Sequence, residues 1–430
     1  MLFGAGKSSS ACISYLAHQS TIHQWQFTVA DADMQLIQSK TISFPWVTPV
    51  QIDINNDEQR KRLVEAADVV ISMMPPALHY LIARDCLHFS KHLLTASYLD
   101  DQLKAMSSAA IEKDVLFLCE MGLDPGIDHM SAMELITAIK QDGGKITSFK
   151  SHCGGLVAPE SDDNPWHYKV SWNPRNIVLA GKAGARYLLN GEEIYEDYEA
   201  VFAGKKNLNA FIEGTGPLAY YANRDSLPYI LLYGLADAKT FVRTTLRHPD
   251  FLAGWSALVA MQLTQELPEL NTGDQTLANY FTDFLRLQHA TNAYDSASPM
   301  VKQQLNFLGF NDNGTFINKG VCSPATVLQF ALENKLKLAP TDKDMVVMVH
   351  ELEYETDGIL KKCSSSLLVK GDDSVNTAMA KTVGLPLAIA ASLLMQQKIK
   401  IRGVGLPIAA EIYTPVLAAL KANGISFINK

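Results

Sequence analysis

No two cysteines of the 430-residue chain stand in a Cys-x-x-Cys pair; the six present (Cys12, Cys86, Cys119, Cys153, Cys322, Cys363) are scattered. Most have apolar neighbours, which suits buried free thiols in a reducing compartment rather than a disulfide framework. The eleven histidines show no metal-ligand spacing, so no metal is expected. There is no basic stripe: 37 Lys and Arg face 45 Asp and Glu, for a net charge of −8. That argues against nucleic acid or an anionic membrane as partner. The longest apolar run, Val383–Met395, reads as too short for a bilayer and holds Pro386. No internal repeat, low-complexity tract or signal-peptide pattern is visible, and a cytoplasmic location is expected. With 47% hydrophobic and 19% charged residues, the chain suits a globule of two or three domains.

What is there begins with one loop. Glu120–Met133 follows the apolar run Val115–Cys119, which reads as a buried strand, and leads into a helical run from about Ser131 to Lys140. It holds three acids (Glu120, Asp124, Asp128), His129, Gly122, Gly126 and Pro125. Glycine permits backbone conformations that other residues avoid, and proline fixes φ and lacks a donor. A loop so shaped, at the carboxyl end of a strand in an open parallel sheet, is where ligands bind. A tight turn with an acidic N-cap is the plainer reading.

Upstream, Gly4 and Gly6 begin a Gly-x-Gly-x-x-Gly pattern with Ser9 in the third place. Gly4 suits the tight turn, Gly6 a close backbone approach to a pyrophosphate, and small Ser9 the packing of helix on strand. The phosphates then sit at the N-terminus of a helix running to about His18, where free N–H groups and the dipole favour an anion. Three residues before this loop are few for a central strand, so native residues ahead of Met1 are expected to be missing. The next strand, Gln26–Ala30, ends at Asp31, where a carboxylate accepts hydrogen bonds from the adenosine ribose and repels a 2′-phosphate. NAD is therefore expected and NADP disfavoured, although Asp33 could take the same role. Asp53, in a third strand Val50–Ile54, could reach the adenine end. A helix over Gln59–Ala67, an apolar strand from Asp68 into Met74-Pro75-Pro76, a helix over Leu78–Phe89 and a strand His92–Ala96 leading to Ser97-Tyr98 extend the βαβαβ alternation.

The second half differs. Ile146–Ser151 reads as a strand. Loops follow around Cys153-Gly154-Gly155, Asn164-Pro165 and Trp172-Asn173-Pro174-Arg175; they suit a binding wall more than a core, and Asn223-Arg224-Asp225 reads as a polar turn carrying a second arginine. From about Thr245 to Leu338 a helical period dominates and reads as an insertion. Asp344–His350 and Cys363–Lys370 read as strands joined by an acidic hairpin turn at Glu353–Gly358. Helices over Ala378–Gln396 and Glu411–Ala422 and a strand Ile425–Ile428 close the chain.

In order and spacing these residues resemble the saccharopine dehydrogenase (saccharopine reductase) family, glutamate-forming branch. The likeness runs through Asp68–Pro75, Thr95–Tyr98, Gly122–His129, Cys153–Leu156, Pro159-Glu160, Asn164-Pro165, Tyr168-Lys169, Ser171-Trp172, Asn223–Ser226, Thr245–Arg247 and Thr377–Pro386. His152, Trp166-His167 and Lys7-Ser8-Ser9 depart from the family's usual residues. The resemblance implies an α/β fold in three parts: a Rossmann NAD(P)-binding domain (1–122 with 400–430), an α/β substrate-binding and dimerisation domain (123–250 with 340–399), and an all-helical insertion (251–339). It implies a homodimer acting on a small molecule, saccharopine. Coenzyme contacts are expected at Gly4, Gly6, Lys7, Ser8, Asp31, Asp53, Met74, Pro75 and Ser97. Substrate contacts are expected at Ser97, Leu123, Asp124, Asn164, Arg175 and Arg224, with Tyr98, Asp124 and Cys153 nearest the reacting carbon.

Saccharopine is a lysine and a glutarate joined through a secondary amine. Its oxidation needs sites for several carboxylates and a group that relays protons to water. Arginine forks suit the carboxylates. Asp124 favours a cationic amine or iminium, Tyr98 could orient a water, and Cys153 either donates weakly or is a small buried residue. His129 is a base or a packed cap residue, and Glu120 could be structural. Two other functions remain open at this level: a reductase coupling an amine to an aldehyde, and a nucleotide-binding protein without catalysis.

Overall fold

The computed structural model describes residues 1–204, 206–208 and 212–430. Strands β1 (Leu2–Phe3), β2 (Thr28–Asp31), β3 (Thr48–Gln51), β4 (Val69–Ser72), β5 (His92–Thr95) and β6 (Leu116–Leu118) form one parallel sheet in the order 3-2-1-4-5-6. The strand Gly403–Gly405 adds a seventh member beside β6. Between the strands run α1 (Ser10–His23), α2 (Met34–Thr41), α3 (Asp57–Glu65), α4 (Pro76–His88), α5 (Asp101–Lys104) and α6 (Ser107–Glu112); α7 (Ile127–Gln141) follows β6. Strands covered on both faces must be apolar throughout, and all of Val69–Ser72 and Leu116–Leu118 is buried. This sheet belongs to the first of two compact units, Met1–Lys145 with Leu367–Gly371 and Val375–Ile428. The sequence reading placed α7 and the helix Ala378–Met395 in the substrate half; they lie in this unit because α7 packs on the helix Ala410–Ala422 and Ala378–Met395 packs on α1.

The helix expected over Ala378–Gln396 is present as Ala378–Met395, with Pro386 inside it. Where the apolar run Val383–Met395 reads as too short for a bilayer, the whole 18-residue helix is, by length and composition alone, long and apolar enough to cross one. Most of it is buried against the rest of its unit. At Gly384 a Cβ would lie 2.8 Å from the backbone N of Cys12, so only glycine lets the two helices approach this closely.

The second unit is Ile146–Ser366 with Asp372–Ser374 and Asn429–Lys430. Its sheet runs Lys206–Asn207, Ala219–Ala222, Thr240–Arg247, β7 (Lys145–Val157), Asp344–Thr356, Ile359–Lys370, Ile428–Asn429, with the hairpin Ala185–Leu189 and Glu192–Glu196 joined to Thr240–Arg247. The acidic turn is tighter than expected. The strands extend to Thr356 and from Ile359, leaving Asp357 (φ 51°) and Gly358 (φ 73°) as a two-residue hairpin loop. The helical insertion is largely as read, with helices such as Pro249–Ala260, Leu277–Leu287 and Pro324–Lys335, plus a two-stranded ribbon of Leu270–Asn271 and Val321–Cys322. Trp166, a departure from the family's usual residue, and Tyr168, part of a family motif, are fully buried in this unit's core with Phe251, Trp255 and Phe281.

Candidate active site

Strand order reverses between β1 and β4, and the loops after them meet there. Gly4 has φ 100°, and a Cβ on it would lie 2.8 Å from the carbonyl oxygen of Met73. Gly6 is different: a Cβ there would meet nothing within 4 Å, and the residue is exposed. The space beside it is what a pyrophosphate needs, with the N-terminus of α1 just beyond. Lys7 and Ser8 lie in the short turn Lys7–Ser9 that leads into α1. The Ser9 hydroxyl, fully buried, donates to the carbonyl of Gly6 at 2.8 Å.

Asp31 ends β2, and its carboxylate accepts the N–H of Ala5 at 2.7 Å and that of Asp33 at 3.1 Å. It is thus locked to the phosphate loop, and each oxygen keeps a lone pair for a ribose hydroxyl. Asp33 is engaged elsewhere, capping α2 by accepting the N–H groups of Gln35 and Leu36. Asp53 lies beyond β3, not in it, because β3 stops at Gln51 on the edge of the sheet; its carboxylate accepts from Asn55. Met74 and Pro75 follow Met73 in the turn between β4 and α4. One residue here escaped the sequence reading. Lys40 on α2 donates to the Gly6 carbonyl and to the Ser9 hydroxyl at 3.0 Å. Burial pushes its ammonium down to about 8, against the pull of Asp31.

His79 on α4 also escaped notice. Its Nδ1 lies 2.7 Å from the hydroxyl of Ser72, and its Nε2 lies 2.7 Å from that of Ser97 and 3.2 Å from that of Thr95. Burial lowers its pKa to about 4, so it is neutral at pH 7 and holds Ser97 at the end of β5. Its position at i+7 from the end of an apolar strand gives no sign of this in one dimension.

Beyond Ser97 and Tyr98, the organising loop is built by its own backbone. The amide of Gly122 donates to Pro125 O, and Gly122 O accepts from Ile127 N, both at 2.9 Å. Gly126 has φ 146°, and a Cβ there would lie 2.0 Å from Gly122 O. The carboxylate of Asp128 accepts the Gly126 N–H at 2.5 Å. Asp128 and Glu120 are therefore builders of the loop, and Leu123 is buried; Asp124 is the half-buried acid among the three. Glu120 accepts from the amide of Leu99 at 3.0 Å and from Nε2 of buried His129 at 2.8 Å.

The other expected residues lie in the second unit. Cys153 on β7 is a buried cysteine outside any disulfide, in register with Thr245. A Cβ at Gly154 would lie 2.5 Å from Leu246 O, so the glycine admits the neighbouring strand. The motifs Cys153–Gly155 and Thr245–Arg247 thus form one patch. Asn164 is a loop builder, accepting from Trp166 N at 3.0 Å and donating to Tyr168 O at 3.1 Å. Arg175, near the start of the short helix Pro174–Val178, clasps both oxygens of Glu266 at 2.6 Å. Arg224 is exposed at a left-handed position (φ 55°). Arg247 is the arginine that the sequence reading passed over. It is buried, stacks near Tyr168 and Phe251, and donates Nη1 to the Leu246 carbonyl at 2.8 Å. Its Nε has no partner among the described residues, and no carboxylate there pairs with it. A buried guanidinium in that state calls for an anion.

A glycine-turned loop after the first strand of a 3-2-1-4-5-6 parallel sheet is the arrangement of the dinucleotide-binding, Rossmann-type fold class. Two family models match in succession: "Saccharopine dehydrogenase NADP binding domain" over residues 1–118 and "Saccharopine dehydrogenase C-terminal domain" over residues 122–425. The chain is 33% identical to alpha-aminoadipic semialdehyde synthase of Arabidopsis thaliana over its whole length, yet spans only 44% of that relative. It is 30% identical to saccharopine dehydrogenase [NADP(+), L-glutamate-forming] of Pyricularia oryzae, covering 92% of this chain and 91% of that one. The structure superposes with a TM-score of 0.87 on the apo saccharopine dehydrogenase (L-Glu forming) from Saccharomyces cerevisiae, at 28% identity over 100% of this chain and 98% of that one. The chain belongs to the saccharopine dehydrogenase family.

Proposed function

We propose that the chain is a glutamate-forming saccharopine dehydrogenase, working in lysine breakdown as a cytoplasmic homodimer. The observation that carries this reading is the match to both family models, one after the other, across a chain whose first unit holds a phosphate-binding loop. A bound nicotinamide dinucleotide would accept a hydride from the carbon next to the secondary amine, held by Gly4, Gly6, Lys7, Ser8, Asp31, Met74, Pro75 and Ser97. The imine so formed takes up water and collapses to glutamate and an aldehyde. Asp124 favours the cationic amine and iminium, Tyr98 orients the water, and Cys153 donates weakly. Arg224 and Arg247 hold substrate carboxylates; Arg175 does so by exchanging Glu266 for the substrate. Light scattering of the purified chain tests the dimer.

NAD is the coenzyme this reading favours, because Asp31 places a carboxylate where NADP carries its 2′-phosphate. A second reading has its own observation: Lys40 lies beside Asp31 and Ser9, and an ammonium there could pair that phosphate. The names of the fungal relatives carry NADP(+). The deciding experiment is reduced-coenzyme formation from saccharopine at alkaline pH, with NAD and NADP side by side. A preference for NAD is expected. A preference for NADP would overturn the Asp31 argument and leave the reaction standing, and no rate with either would overturn the reaction.

A further inference from the structure

His167 and His248 stand 81 residues apart in sequence, yet their rings lie 3.8 Å apart, centroid to centroid, at 31°. Asp250 joins them. One donor atom from each of the three lies within 4.8 Å of the others. Oδ2 of Asp250 is 3.6 Å from Nε2 of His167 and 3.8 Å from Nδ1 of His248. A fourth residue completes the set, for Nδ1 of His167 lies 2.6 Å from Oδ2 of Asp162.

The hydrogen-bond logic is informative. Asp162 can only accept, so Nδ1 of His167 carries the proton and donates. Nε2 is then the ring nitrogen of His167 that faces Asp250 and is placed to act as a ligand. A carboxylate on Nδ1 of a histidine whose Nε2 meets other donors is the arrangement that orients metal-ligating imidazoles. Nδ1 of His248 accepts the N–H of Asp250 at a long 3.2 Å, a bond easily exchanged. Zinc–nitrogen bonds near 2.0 Å place tetrahedral ligands about 3.3 Å apart. The observed separations of 3.6 and 3.8 Å are close to that span.

The scaffold is firm on both sides. His167 follows Trp166, which is fully buried and donates its indole N–H to Gln304 O at 2.8 Å. His248 is the N-cap of Pro249–Ala260, whose Phe251 and Trp255 are core residues. We propose that His167, His248 and Asp250 form a binding site for a divalent transition-metal ion, zinc by ligand type, with Asp162 orienting His167 and a solvent molecule completing the shell. The ion ties the loop that carries Asn164 and Trp166 to the first helix of the insertion. It is separate from the proposed reaction and does not depend on it.

The test uses the full, tag-free chain after chelator treatment. ZnCl2 is titrated against a chromophoric competitor, CoCl2 binding is followed by its visible spectrum, and thermal midpoints are read with and without zinc. The expected result is one saturable equivalent, a tetrahedral cobalt spectrum and a raised midpoint. His167→Asn suits the left-handed φ of 47° at that position, and His248→Asn keeps the N-cap, so both variants should fold. Each should lose the equivalent, and Asp162→Asn should weaken binding by about 10- to 100-fold. No saturable equivalent in the parent chain, or an undiminished one in either folded histidine variant, would overturn the proposal.

Discussion

Nε2 of His129 donates to Oε2 of Glu120 at 2.8 Å, and both side chains are buried, Glu120 at 3% exposure and His129 at none. The other oxygen of Glu120 accepts the amide of Leu99. One carboxylate therefore ties the start of the loop, the first turn of α7 and the segment after Tyr98 together. Glu120→Ala strands a buried imidazole and an amide, and should destabilise the chain by about 3 kcal/mol. Glu120→Gln keeps an acceptor for Leu99 and should lose about 1 kcal/mol. Urea unfolding of the two variants checks the order; equal losses would mean that the pair carries no such weight.

His79 should give the fold an acid limit. Its folded pKa is about 4, below the ordinary value of 6.5, because burial penalises the charged ring. The unfolded chain binds the proton first. The histidine's contribution is therefore complete above pH 6.5 and is lost as pH falls toward 4. The loss amounts to up to about 3 kcal/mol at 1.36 kcal/mol per pH unit. His79→Gln removes this titration, so its stability should vary less than the parent's between pH 6.5 and 4. Unfolding midpoints across that window read the difference.

Lys40 predicts a pH signature that separates the two coenzyme readings. Its ammonium titrates at about 8, lowered by burial. If it pairs a 2′-phosphate, the KM for NADP rises as pH passes 8 while that for NAD stays flat, and Lys40→Met abolishes the slope. If Asp31 governs the choice, Asp31→Ser weakens NAD by about tenfold, one ribose hydrogen bond to a charged acceptor, and narrows the preference. Initial rates with each coenzyme from pH 7 to 9 decide between them.

Arg247→Met is expected to separate binding from folding. Replacing a buried, uncompensated guanidinium with an apolar chain of similar length is neutral or mildly stabilising. Loss of a buried partner for a substrate carboxylate should lower kcat/KM by about 100-fold. Arg175→Met breaks the clasp on Glu266 and should cost about 1 kcal/mol of stability, the pair being part-exposed, while also raising the KM for saccharopine. Parallel melting curves and saccharopine kinetics test both, and unchanged kinetics in Arg247→Met would remove it from the site.

The local parts of this protein were legible in one dimension because their causes are local. The turn at Gly4, the open space at Gly6, Asp31 at the end of β2 and the glycines of the Gly122–Gly126 loop follow from residue type and spacing within a few positions. The roles of the charged residues followed less well. Asp33, Asp128 and Asn164 look in sequence like ligand-binding groups, yet each accepts backbone N–H groups of its own turn or helix start. Arg175 and Arg247 read alike in sequence. Glu266, 91 residues from the first, and the absence of any such acid at the second among the described residues set them apart.

The sequence by itself determined the α/β class, the order of strands and helices, the phosphate loop and the family, since periodicity and glycine geometry act over short spans. The tertiary structure alone decided that Glu120 and Asp128 build the loop. It also decided that His79 secures Ser97 and that His167 meets His248. Those outcomes depend on desolvation and on partners many residues away, and both exist only once the chain has folded.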